Sequence, residues 1–102
     1  MTAATQRVPA ITEKAFQEAV IEAASYLGWR HFHPYEMRKS DPGWPDLVLV
    51  RPPRLLFVEL KSENGKVTDA QQEWMYVLTG VPGVEVYVWR PLDWDLIEEM
   101  LR

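Results

Sequence analysis

From Thr12 onward, apolar residues recur at Phe16, Ala19, Val20, Ala23, Ala24 and Leu27 until Gly28 interrupts them. Steps of three and four predict an amphipathic helix, with Thr12 as its N-cap and Gly28 as its stop. Arg30 to Glu36 alternates polar with aromatic side chains, the period of a strand. Pro34 cannot donate to a ladder and so places that strand at a sheet edge. Lys39-Ser40-Asp41-Pro42-Gly43 reads as a loop. Asp46 to Arg51 and Leu55 to Lys61 are β-branched and leucine-rich, parted only by Pro52-Pro53, which predicts an antiparallel hairpin with a tight, non-standard turn. After Asn64-Gly65, Thr68 and Gln71 form a T-x-x-Q capping box that opens a second helix carrying Trp74, Val77 and Leu78. Val84 to Trp89 is a further strand, and Asp93 is expected to cap a last short helix through Trp94, Ile97 and Leu101. The order α-β-β-β-α-β-α predicts an α/β fold, a mixed β-sheet flanked by helices. Residues 1 to 10 are small and polar, ending near Pro9, and are expected to form a flexible tail. Residues 11 to 102 are expected to form one domain.

Composition narrows the function classes. No run approaches the roughly 18 apolar residues of a membrane span, and the N-terminus lacks the basic start and apolar stretch of a signal peptide. A soluble, cytoplasmic protein with no membrane partner is therefore expected. Without cysteine, any metal must be held by oxygen or imidazole ligands. The net charge of -4 argues against gripping nucleic acid by bulk positive charge. A local basic face remains open, because Arg30, Arg38, Lys39, Arg51, Arg54, Lys61 and Lys66 gather in the middle of the chain while Asp93, Asp95, Glu98 and Glu99 crowd its end. Local field matters more than net charge.

The hairpin carries the chemistry. If it turns so that Arg51 faces Arg54, Asp46 falls opposite Glu59. Directly opposed side chains lie roughly 5 Å apart, and like charges there are destabilising. Such a pair either wastes stability or holds a cation. Strand alternation puts Glu59 and Lys61 on one face, so an ammonium sits beside the acids. Hard oxygen ligands suit Mg2+ or Mn2+. The metal would polarise a phosphate and acidify a water, while Lys61 orients the nucleophile or stabilises developing charge. A one-residue slip of register would put the acids on opposite faces.

Other residues carry two readings each. At about 100° per residue, Glu13 falls with Val20, Ala24 and Leu27 on the apolar side of the first helix, which makes it a candidate metal ligand or holder of a metal-bound water. It also fits as an ordinary first-turn acid favoured by the helix dipole. Gln71 is explained by capping or by catalysis. Arg38, Lys39 and Ser40, in the loop before the acids, are candidate phosphate contacts or a solvated loop. His31 and His33 share a face with Tyr35, as half-buried strand positions or as phosphate contacts. The tryptophans are core or interface material, although Trp44 beside Pro45-Asp46 could line a DNA groove.

Gly43-Trp44-Pro45-Asp46, Glu59-Leu60-Lys61, Gly65-Lys66, Thr68, Gln71 and Trp74 together resemble the G-x-P-D, E-x-K, G-K and T-x-x-Q-x-x-W pattern of VRR-NUC domains, part of the PD-(D/E)XK nuclease superfamily. Thr12-Glu13 with Gln17, Gly28-Trp29, Arg38-Lys39-Ser40 and Trp89-Arg90-Pro91 extend the likeness over nearly the whole chain from about Ile11. The resemblance implies a restriction-endonuclease-like core and metal-dependent DNA cleavage. It implies ligation of the metal by Asp46, Glu59 and the carbonyl of Leu60, with Lys61 catalytic and Glu13 and Gln71 around the site. It further implies the stand-alone phage or bacterial type, duplex or branched DNA such as Holliday junctions as substrate, and a possible homodimer. Lys66 and the Arg38-Lys39-Ser40 loop are the expected DNA contacts. The rival reading is a non-cleaving nucleic-acid-binding domain on a nuclease fold. It gains nothing from two facing carboxylates.

Overall fold

The computed structural model describes residues 11–34 and 41–102. The expected tail, Tyr35 and Glu36 of the expected first strand, and the candidate phosphate contacts Arg38, Lys39 and Ser40 all lie outside the described residues.

Helix α1 spans Glu13–Tyr26, with the Thr12 hydroxyl accepting from the Ala15 amide at 3.0 Å, so one of the helix's open donors is satisfied. Gly28, at φ +89°, lies in the left-handed region open to glycine, and the chain turns there into strand β1, Arg30–Phe32. This strand is shorter than its alternation suggests and exposed at every position. Strands β2, Leu47–Arg51, and β3, Arg54–Leu60, form the hairpin in the expected register, Arg51 against Arg54 and Leu47 against Val58. The Pro52-Pro53 bond between them is cis.

The capping box forms as read. Thr68 Oγ1 accepts from the Gln71 amide at 3.2 Å, Gln71 Oε1 accepts from the Thr68 amide at 2.9 Å, and α2 runs Asp69–Thr79. That helix is the crossover that lets β4, Val84–Trp89, lie parallel to β3, since parallel neighbours need a long connection. The sheet is thus mixed, ordered β1-β2-β3-β4. Pro91–Asp93 makes a 3-10 turn and α3 follows, Trp94–Leu101. Here one expectation is corrected. Asp93 precedes α3 without capping it, because its carboxylate is taken by the Arg90 amide at 2.9 Å, within the turn.

Strand alternation divides the sheet into two unlike faces. Leu47 and Leu49 of β2, Leu56, Val58 and Leu60 of β3, and Trp89 of β4 pack with Phe16, Val20 and Ala24 of α1 and Ile97 and Leu101 of α3 as the core. The intervening residues, Asp46, Phe57, Glu59 and Lys61 among them, turn toward α2, none of whose residues is fully buried. One face therefore carries the core, and the other carries Asp46, Glu59 and Lys61.

The hairpin's far end is tied to α3. Arg51 donates to the carbonyls of Leu27, Leu101 and Arg102, and Arg54 to that of Met100. Both guanidinium groups lie over the Trp29 ring, at 4.6 and 5.0 Å, and the Trp29 indole N–H donates to Leu101 at 2.8 Å. Cations on the terminal carbonyls of a helix are favourable. Arg54 also makes a paired contact with Glu85, which holds that carboxyl down to about 2. No helix among the described residues is long and apolar enough to cross a membrane.

Candidate active site

Extending the hairpin register by one step from Leu47 and Val58 brings Asp46 opposite Glu59, at the end of the sheet away from the turn. Asp46 is half-buried, and its Oδ2 accepts from the Leu60 amide at 2.9 Å. Glu59 is only 2% exposed. Gln71 Nε2 donates to Glu59 Oε2 at 2.8 Å, and Lys61 Nζ stands 3.7 Å from the same oxygen. Glu59 Oε1 is buried with no hydrogen-bond partner. Burial and the neighbouring Asp46 carboxylate push the Glu59 carboxyl up to about 8, against the partial relief that Lys61 gives.

Leaving a buried acceptor unmatched costs on the order of 1–3 kcal/mol. The Trp89 indole nitrogen is unmatched too, and a bound ion is one of the causes of such an atom. Two facing carboxylates, one with a free buried oxygen, make a donor set of hard oxygens fit for a divalent cation. Among the described residues no trio of His, Asp or Glu is gathered into a metal cluster. Ligands beyond the pair would have to be backbone carbonyl or water, and the carbonyl of Leu60, next to Glu59, is the one the family resemblance implies.

Gln71 caps α2, as one of its two readings has it, and also contacts Glu59. Its carbonyl oxygen closes the capping box while its amide holds Glu59, so the start of α2 and the acid are locked together. The close approach depends on Gly43. At φ +84° a side chain is strained there, and a Cβ would run into the Ala70 carbonyl and come within 2.7 Å of the Gln71 amide. The loop that delivers Asp46 is thereby pressed onto the helix that delivers Gln71.

Glu13 departs from expectation. It is exposed, although the helical wheel puts it on the apolar side. The buried members of that stripe begin only at Phe16, so the first turn carries Glu13 past the core. Since the Leu27 end of α1 meets Arg51 beside the hairpin turn, Glu13 lies toward the same end of the sheet as Asp46. Lys66 is exposed in the loop after Lys61. Trp44 packs edge-on against Phe57 and Trp74, with ring centres 5.7 and 4.8 Å apart. His33 meets Gln17 of α1 at 3.4 Å.

The family model of the VRR-NUC domain matches residues 4–91. The chain belongs to the VRR-NUC family. A solved structure described as a VRR_NUC domain protein superposes with a TM-score of 0.68 at 22% identity, over 89% of this chain and 86% of that one, so the α/β fold is shared with a VRR-NUC structure. No curated protein matches the chain. The family match starts seven residues before the boundary expected at Ile11, inside the expected tail.

This VRR-NUC chain also has contacts around Arg90 and Glu63 that spacing and composition do not indicate. Arg90 Nη1 donates to the carbonyls of Ser62 at 2.6 Å and Gly65 at 2.7 Å, and the Glu63 carboxylate accepts from the Leu92 amide. The loop bearing Lys66 is thus bound to the turn after β4. Sequence distance hid these partners, and the one signal was Arg90 directly after the last strand.

Proposed function

We propose that this VRR-NUC domain is a divalent-metal-dependent DNA endonuclease that hydrolyses phosphodiester bonds, acting on branched or structured duplex. The observation that carries the reading is Glu59, a buried carboxyl pressed against a second acid, with one oxygen unmatched and a lysine and a glutamine on the other. A fold has no need of that arrangement. A cation resolves it.

In this reading Asp46, Glu59 and the carbonyl of Leu60 hold Mg2+ or Mn2+, which supplies Lewis-acid activation of the phosphate and an acidified water. Lys61 donates to the charge that builds on the phosphate oxygens as the bond to the leaving oxygen breaks. Gln71 fixes the Glu59 carboxylate so that its orientation is set before substrate arrives. Glu13, exposed at the start of α1, is the proposed acceptor for a metal-bound water. Arg38, Lys39, Ser40 and Lys66 grip phosphates on either side of the cut. The domain is taken to span residues 11–102 and to work in the cytoplasm, and pairing into a homodimer would present one site to each strand.

The test is incubation of purified protein with labelled linear, flap and four-way DNAs, with magnesium, manganese or chelator. Metal-dependent cutting that favours a branched form supports the reading. Binding without cutting in either metal would return the chain to the rival class of non-cleaving DNA-binding domains.

A further inference from the structure

A hollow of about 270 Å³ is lined, among the described residues, by Phe32, Pro34, Asp41, Trp44 and Trp74. We propose that it is a subsite for one unpaired nucleobase flanking the scissile phosphate, which would make DNA with an unpaired nucleotide at the cut the preferred substrate. The proposal rests on the nuclease reading above and deepens it.

Each wall is tied to a residue of the site. Trp44 is two residues from Asp46 along the chain. Trp74 is one helical turn beyond Gln71 on α2. Phe32 pairs with Val48, which is two residues along β2 from Asp46 and on its face, a step of roughly 7 Å. The hollow therefore opens within reach of a nucleotide neighbouring the one cut.

Its chemistry selects the ligand. Among the described residues the one charge in the lining is the Asp41 carboxylate. Aromatic rings and a proline suit a neutral planar ring, and Asp41 can accept from the N–H groups that bases carry on their pairing edges. Phe32 is 61% exposed on an edge strand and stands outside the core. An aromatic side chain left in water beside a phosphodiester-cutting centre has a ready partner in a base, because every base offers a π-face. In paired duplex those faces are stacked on one another, so an unpaired base alone can enter.

The experiment measures binding with calcium replacing magnesium, using a fully paired duplex and the same duplex bearing a short unpaired flap with 2-aminopurine as its first unpaired base. Wild type should bind the flap more tightly and quench the 2-aminopurine. Phe32→Ala should weaken flap binding by roughly fivefold or more relative to the duplex, as removal of one stacking ring does, and relieve the quenching. Phe32→Trp should restore both. An unchanged flap preference in Phe32→Ala would overturn the subsite while leaving the nuclease reading intact. So would an equal loss on both DNAs with a shift from dimer to monomer in sedimentation, which would make the hollow an interface between copies. Failure of wild type to bind either DNA would overturn both readings together.

Discussion

Glu59 carries the largest electrostatic conflict among the described residues. Its carboxyl is raised from 4.5 to about 8 by burial and by Asp46, so the folded chain holds that proton more tightly than the unfolded chain does. The resulting stability is fully present below about pH 4.5 and is lost as pH rises through about 8. Metal-free protein should therefore melt at progressively lower temperature across that window. Glu59→Gln should flatten the dependence and raise the melting point by several degrees at its alkaline end, given about 4–8 °C per kcal/mol for a chain of this size. A flat wild-type profile would remove the conflict on which the site was argued. Lys61 separates chemistry from ligand binding. Lys61→Ala should slow cleavage about a hundredfold or more, as loss of a transition-state donor does, while calorimetry shows manganese binding little changed. At this scale the sequence was most legible in the hairpin. Opposed acids can be read from register, because alternation along strands is strict. The exposure of Glu13 could not be read, since a helical wheel gives an angle and says nothing of where the sheet beneath it ends.

Among the elements, the junction of the Asp46 loop with α2 is the one on which the site's geometry depends. Gly43→Ala meets both a left-handed φ and a collision with the backbone of Ala70, so it should cost on the order of 2 kcal/mol. Cleavage should fall further than stability, because Gln71 moves with the helix. A variant as stable and active as wild type would mean that the loop and helix are free to separate. Periodicity disclosed α1, the hairpin, α2 and β4, since each follows a local rule of spacing or capping. It could not disclose that β1 stops at Phe32, nor that Asp93 serves the turn before α3 instead of capping it. For Asp93 the competing partner is local, the Arg90 amide three residues back, and the spacing of apolar residues carries no sign of it. The same holds for Arg51 and Arg54, which stand in the central group of bases yet close the end of α3 on the Trp29 ring.

Across the molecule, that diversion narrows where DNA can be held. Arg51, Arg54 and Arg90 are occupied by backbone carbonyls in a chain of net charge -4, and the proposed DNA contacts are Lys66 and the Arg38-Lys39-Ser40 loop. Arg38→Ala with Lys39→Ala should flatten the salt dependence of DNA binding in calcium by close to two units of slope, about 0.9 per phosphate contact. A double variant with the wild-type slope would put the DNA face elsewhere. The central claim, that Asp46 and Glu59 form the metal centre of a nuclease, is tested most directly by single-turnover cleavage of a labelled DNA in manganese by wild type, Asp46→Asn and Glu59→Gln. Wild type should cut, and both variants should be slower by about two orders of magnitude or more with melting transitions still cooperative. Cutting at a near wild-type rate by either variant would contradict it.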